Sequence, residues 1–162
     1  MAQIIKNVVV NPPINSTNET ALKNIETIIE FFSLYLKDKE KFYSLWVEAE
    51  PAVITPFVAD DVAVCRQVEL SGWDAVKSFW DPIFDMKGKF DWTIDEIIPG
   101  EDPNVIITKA RSDIDADTTE TFGNVHLKYN GKYLQVFKFE NGKVKSFEEY
   151  YDTNFLNKQF SK

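Results

Sequence analysis

The apolar residues of this chain change their spacing near Phe90, and that change limits the fold more than any other feature. Before it, Leu22, Ile25, Ile28, Ile29, Phe32, Tyr35 and Leu36 recur at helical spacing, with Lys and Glu on the opposite face. Ser16 and Glu19 stand at capping-box spacing ahead of that run. A second short helix is predicted around Phe42, Leu45 and Trp46, ending before Pro51. A third opens at Ser71 and Asp74 and carries Val76, Phe79 and Trp80 as far as Asp81-Pro82. Between them, 52–57 and 62–66 read as short strands around a turn at Ala59-Asp60-Asp61.

From Phe90 onward the period is two. Trp92, Ile94 and Ile98 alternate with Asp91, Thr93 and Asp95, and Pro99-Gly100 closes the strand. Val105 to Thr108, Val125 to Tyr129, Tyr133 to Phe139 and Val144 to Tyr151 continue the pattern. Asn141-Gly142 between the last two is a strong hairpin signal. Helices followed by a long antiparallel meander describe an α+β domain. Residues 1–18 are expected to form a flexible arm, because Asn11-Pro12-Pro13 interrupts regular structure. Residues 19–162 then make a single domain, a natural size for one core.

Composition excludes several functions. The net charge of −8, with Arg66 and Arg111 the only arginines, repels phosphate backbones, so no nucleic-acid partner is expected. One cysteine, Cys65, leaves no disulfide framework and no thiolate cluster for zinc. One histidine, His126, excludes a site needing two imidazoles from one chain. No apolar run reaches the roughly 20 residues of a membrane span, and the N-terminus lacks a signal-peptide pattern. No membrane association and a reducing, cytoplasmic setting are the resulting expectations. Asp113, Asp115 and Asp117 begin like a calcium loop, but Thr118 and Asn124 stand where Gly and Glu are required. That run reads as an exposed acidic turn. Walker A, G-x-G-x-x-G and G-x-S-x-G motifs are absent.

The last strand carries the most chemistry. Strand parity puts Phe147, Glu149 and Tyr151 on one face and Ser146, Glu148 and Tyr150 on the other. A carboxyl between two aromatic residues on a buried face has a raised pKa, which suits a general acid or base. The alternatives are a parity slip of one residue, or a structural ion pair between Glu149 and Arg111. His126 alternates with Asn124 and Lys128 and reads as a solvated strand histidine. Trp73, at the start of the third helix, is either a core anchor or a stacking surface for a ligand. Arg111 is either the orienting group for an anionic ligand or a salt-bridge partner. The aromatic content of 14% suffices for a core and an aromatic-lined cavity, with Trp92 and Phe137 as further wall candidates.

Several phrases resemble the NTF2-like superfamily, and within it the SnoaL-like group. They are Phe57-Val58-Ala59-Asp60-Asp61, Ser71-Gly72-Trp73-Asp74-Ala75-Val76, and Asn141-Gly142-Lys143-Val144 followed by Glu148-Glu149-Tyr150-Tyr151-Asp152. Glu101-Asp102-Pro103-Asn104 is similar to the phenazine-biosynthesis PhzA/PhzB branch. The resemblance spans roughly residues 20–156. It implies a cone, with N-terminal helices packed on a strongly curved, mainly antiparallel sheet around an apolar pocket. It also implies a homodimer formed through the outer sheet face, no cofactor and no metal. The implied activity is isomerase, cyclase, dehydratase or condensation chemistry by proton transfer on a small apolar or aromatic molecule. A non-catalytic dimeric ligand-binding or accessory domain is the alternative on the same fold. Glu149 falls at the position of that branch's catalytic Glu. The branch carries a His where this chain has Trp73, and an indole cannot protonate a substrate as imidazole does.

Overall fold

The structure is a computed structural model that describes residues 1–58 and 65–160. The expected turn at Ala59-Asp60-Asp61 lies outside the described residues. The first helix, α1 (Glu19–Ser33), buries Ala21, Ile25, Ile28, Ile29 and Phe32 at three- and four-residue intervals. Its N-cap is Asn18, whose side chain accepts from the Ala21 N–H at 3.0 Å. Ser16 instead accepts from the Asn18 N–H, so the Ser16–Glu19 box does not form. Next, α2 (Lys39–Ser44) is capped by Asp38 accepting from the Lys41 N–H. Gly72 opens α3 (Trp73–Phe84) with φ 85° and no side-chain cap, and Ser71 bonds Glu69. Pro82 does not stop this helix. It sits in the last turn, where a missing N–H costs one bond, and the helix runs on to Phe84.

Among the described residues, nine strands form one curved, mostly antiparallel sheet. They are β1 (Gln3–Ile5), β2 (Val8–Val10), β3 (Ala52–Val58), β4 (Cys65–Ser71), β5 (Lys87–Pro99), β6 (Val105–Asp117), β7 (His126–Tyr129), β8 (Lys132–Glu140) and β9 (Lys143–Tyr151). The spatial order is β1-β2-β5-β6-β8-β9-β3-β4, with β7 paired beside β8 on the same edge of β6. A short helix, α4 (Thr153–Phe160), follows the last strand. Asn141 (φ 51°) and Gly142 (φ 77°) make the tight β8–β9 turn that the Asn-Gly pair predicts. Register shifts at Asp95 in β5 and at Lys145 in β9 add bending where the sheet must wrap.

Two sequence expectations are corrected here. Residues 1–10 are not a loose arm: β1 and β2 form a hairpin, and β2 lies parallel to β5 with Val9 beside Thr93. Val8 and Val10 are fully buried, and the Asn11 N–H donates to the Ile94 carbonyl at 2.9 Å. Pro12 ends this pairing without preventing it. Asp113, Asp115 and Asp117 are not a turn but alternate positions of β6. Their carboxylates pair with Lys89, His126 and Lys128 on its exposed face.

The helices close the concave side. Phe31 of α1 is at the centre, with Phe42, Phe137 and Phe147 rings at 4.6, 5.2 and 5.2 Å. A smaller cluster of Met86, Ile114, Ala116, Leu127 and Tyr129 lies towards the far end of β6.

Candidate active site

The concave face is organised in rows that cross β6, β8, β9 and β3. Ile106, Phe137, Phe147 and Val53 are register partners and fully buried, forming an apolar floor. Two residues further along, Thr108 pairs with Gln135 and Gln135 with Glu149. Thr55 adjoins Glu149, one residue past the Ile54–Glu148 pair. All four are polar and buried, which is costly unless their groups find partners. Thr108 Oγ1 donates to Gln135 Oε1 at 2.8 Å, and Thr55 Oγ1 donates to Glu149 Oε1 at 3.2 Å. The next row is Ala110, Tyr133 and Tyr151, with the two tyrosine rings 5.4 Å apart.

Beyond the polar row the wall opens into a cavity of about 180 Å³. Its surface comes from Tyr35 in the turn after α1, Trp80 of α3, Trp92 of β5, Tyr133, Glu149 and Tyr151, among others, with Leu156 and Phe160 of α4 on one side. Among the described residues, no Lys, Arg or His lines it. The Tyr133 and Trp92 rings on this wall have centroids 4.9 Å apart. Tyr133 is held by Ser112, its hydroxyl 3.2 Å from Ser112 Oγ, which also accepts from the Gly131 N–H at 3.1 Å. Any Cβ at Gly131 would run into the Tyr129 and Tyr133 rings, so glycine is required there.

Glu149 is only 7% exposed. Removal from water raises its pKa from 4.5 to about 7, against the smaller lowering effect of the Thr55 hydrogen bond. Oε2 has no hydrogen-bond partner among the described residues. Tyr35 and Tyr133 are pushed well above the ordinary phenol range, chiefly by burial and further by the Glu149 charge. They remain neutral donors at physiological pH. The indole N–H groups of Trp80 and Trp92 and the Gln135 amide nitrogen are buried without partners among the described residues. They have almost no accessible surface, so they do not face the open space of the cavity.

Of the residues singled out in the sequence, Glu149, Trp92 and Tyr151 meet at this cavity. Phe137 and Phe147 belong to the floor beneath it, fully buried. Arg111 is not a pocket residue. It points from the outer face of β6 and makes a two-pronged bond to Asp95, Nε to Oδ2 at 2.6 Å and Nη2 to Oδ1 at 2.9 Å. The shift at Asp95 brings that carboxylate within reach, so Arg111 pairs there rather than with Glu149. Trp73 is also outside the cavity. Its Nε1 donates to the Glu48 carbonyl at 2.8 Å, and its ring meets the Tyr43 ring and the Lys77 ammonium. His126 is exposed between Asp115 and Asp117, which raise its pKa. Sequence reading missed Tyr35, Thr55, Trp80, Tyr133 and Gln135. The parity that puts Tyr133 and Phe137 on one face puts Gln135 there too, whereas Thr55 and Tyr35 come from elements whose packing no local pattern reveals.

The model of the SnoaL-like domain matches residues 40–147. This chain belongs to the SnoaL-like family. Glu149 lies two residues past the matched segment. A SnoaL-like chain is expected to share the NTF2-like α+β cone, and the solved structures agree. A phenazine biosynthesis-related protein of Pseudomonas aeruginosa is 18% identical with a TM-score of 0.69, covering 93% of this chain and 88% of its own. An NTF2-like protein of unknown function from Burkholderia pseudomallei is 16% identical, with a TM-score of 0.64 and coverages of 86% and 98%. The epoxide hydrolase/cyclase-like enzyme SalBIII, described for pyran ring formation in salinomycin, is 13% identical, with a TM-score of 0.61 and coverages of 82% and 93%. At such identities the likeness is one of fold. No curated protein sequence matches the chain.

Proposed function

We propose that this SnoaL-like domain is a cofactor-independent small-molecule enzyme in which Glu149 carries a proton between two positions of a bound substrate. The observation that supports it most is a nearly buried carboxyl on an aromatic-walled cavity, with a pKa of about 7 and one oxygen unengaged. Such a group is roughly half ionised at neutral pH and can both take and return a proton. The ionised form would remove a proton from carbon beside a carbonyl or iminium group. The protonated form would then deliver it to another atom of the same delocalised system, which is net isomerisation, or assist loss of water or ring closure. Neutral Tyr133 or Tyr35 hydroxyls would donate to oxygen as negative charge builds there. Similarity to a cyclase-like enzyme and a phenazine biosynthesis-related protein is consistent with this class of chemistry.

The direct test follows exchange of the α-deuterons of a small aryl ketone by NMR in water. Wild-type protein should accelerate exchange, with a rate that rises through pH about 7, whereas Glu149→Gln should leave the buffer rate. Equal rates for the two proteins would remove the enzymatic reading. Binding without turnover would then stand. What favours that second reading is the placement of Trp73, which leaves no imidazole facing Glu149. The same proposal includes a homodimer through the outer sheet face.

A further inference from the structure

The cavity wall is one-sided in its electrostatics. Rings of Tyr35, Trp80, Phe90, Trp92, Tyr133 and Tyr151 form much of it, and the one carboxyl among the described lining residues is Glu149. Aromatic faces are negative and attract cations, the more so when water is excluded. A buried carboxylate has the same preference, and here Thr55, through Oε1, is its one hydrogen-bond donor among the described residues. Among the described residues, the elements packed around Glu149 bring no opposing charge. The titratable groups facing it among the described residues are phenols, namely Tyr35 from the turn after α1, Tyr129 from β7, Tyr133 from β8 and Tyr151 from its own strand. Gln135 and Thr55 are neutral, and α3, α4 and β5 contribute only uncharged side chains to the lining. An anionic ligand would meet ring faces and a carboxylate, with no cation among the described residues to receive it. A cation would meet complementary charge from those rings and that carboxylate.

We propose that the cavity selects small aromatic or alicyclic molecules bearing a positively charged nitrogen, an ammonium or iminium, held against Glu149 Oε2 and the surrounding rings. This rests on the same cavity as the proposed function and names its substrate class. An iminium is also the better substrate for the proton transfer, since its charge acidifies the adjacent C–H more than a neutral carbonyl does. No bond to the protein is required.

The experiment titrates the full chain with benzylamine, benzyl alcohol and benzoate, three probes of one ring and different charge, by calorimetry in about 0.5 M salt. High salt screens the net charge of −8 at the surface far more than a buried pair. At pH 8 benzylamine should bind about tenfold tighter than benzyl alcohol, and benzoate least. Between pH 8 and pH 6 benzylamine should weaken about tenfold as Glu149 takes up its proton, with no such change for benzyl alcohol. Glu149→Gln should remove both the amine preference and the pH dependence. The wild-type profile tests the idea even if that variant folds poorly. Benzyl alcohol or benzoate binding as tightly as benzylamine, or an amine affinity flat with pH, would overturn the cation assignment while leaving an accessible pocket and its proposed function standing. Binding of none of the three would remove both.

Discussion

Folding carries Glu149 from water to the concave face, and its proton is then held more tightly than in the unfolded chain across the interval from pH 4.5 to about 7. The folded state therefore loses stability as pH rises through that interval, by about 3 kcal/mol for a shift of this size. Glu30, Asp95 and Asp113 act in the opposite sense at lower pH, because lysines, or Arg111 for Asp95, depress their pKa values. Comparing wild type with Glu149→Gln cancels those groups, since Gln never ionises. Urea unfolding at pH 5 and pH 8 should show the variant gaining about 2–3 kcal/mol on the wild type between the two. A constant difference would mean that Glu149 is as well solvated as an ordinary glutamate. Thr55→Val removes the hydroxyl that favours the ionised form, so the midpoint of any Glu149-dependent activity should move upward in pH. The same variant with an unmoved profile would dissociate Thr55 from the site.

At the scale of elements, legibility followed how local each determinant is. The helical periodicity of α1 and the Asn141-Gly142 turn were readable because each depends on neighbours within a few residues. Parity along β9 was readable only from Ser146 onward. Val144 and Phe147 are three residues apart yet both buried, because the shift at Lys145 resets the alternation. Capping boxes were misplaced because Asn18 and Gly72 hold the cap positions, two residues and one residue respectively from the serines that signal them. The strand β2 was missed because its partner, β5, is more than eighty residues away in sequence. The cavity itself was legible in one wall only, as its other sides come from the turn after α1 and from α3 and α4. That last helix has no fully buried residue, although Leu156 and Phe160 close one side of the cavity and Phe160 meets Phe122. Ending the chain after Asp152 should leave the far-UV signature of the sheet intact. It should also admit water to Glu149 and bring its pKa down from about 7 towards 4.5, as read by carboxyl carbon NMR. An unchanged pKa would mean that α4 contributes nothing to the exclusion of water.

The whole molecule presents two sheet faces with different fates. The concave face is covered by α1 and α3, while the outer face of β8 and β9 leaves large apolar side chains exposed. Leu134 and Tyr150 are register partners there, 37% and 44% exposed, beside the Arg111–Asp95 and Lys109–Glu96 pairs. A mixed surface of this kind, with an apolar centre and charged margins, resembles the composition of protein interfaces more than that of a free sheet face. Two-fold symmetry would place the Leu134–Tyr150 pair of one copy against that of another, which is the self-complementary arrangement of a C2 dimer. The chain should therefore sediment at twice its own mass at micromolar concentration. Replacing Leu134 and Tyr150 together by Glu puts two like charges at the centre of the contact, where both copies repeat them. That double variant should weaken the dimer by about a hundredfold or more, with the circular dichroism and the amine binding of each subunit retained. A wild-type chain that sediments as a monomer, or a double variant that stays dimeric, would mean that this face is not where copies meet.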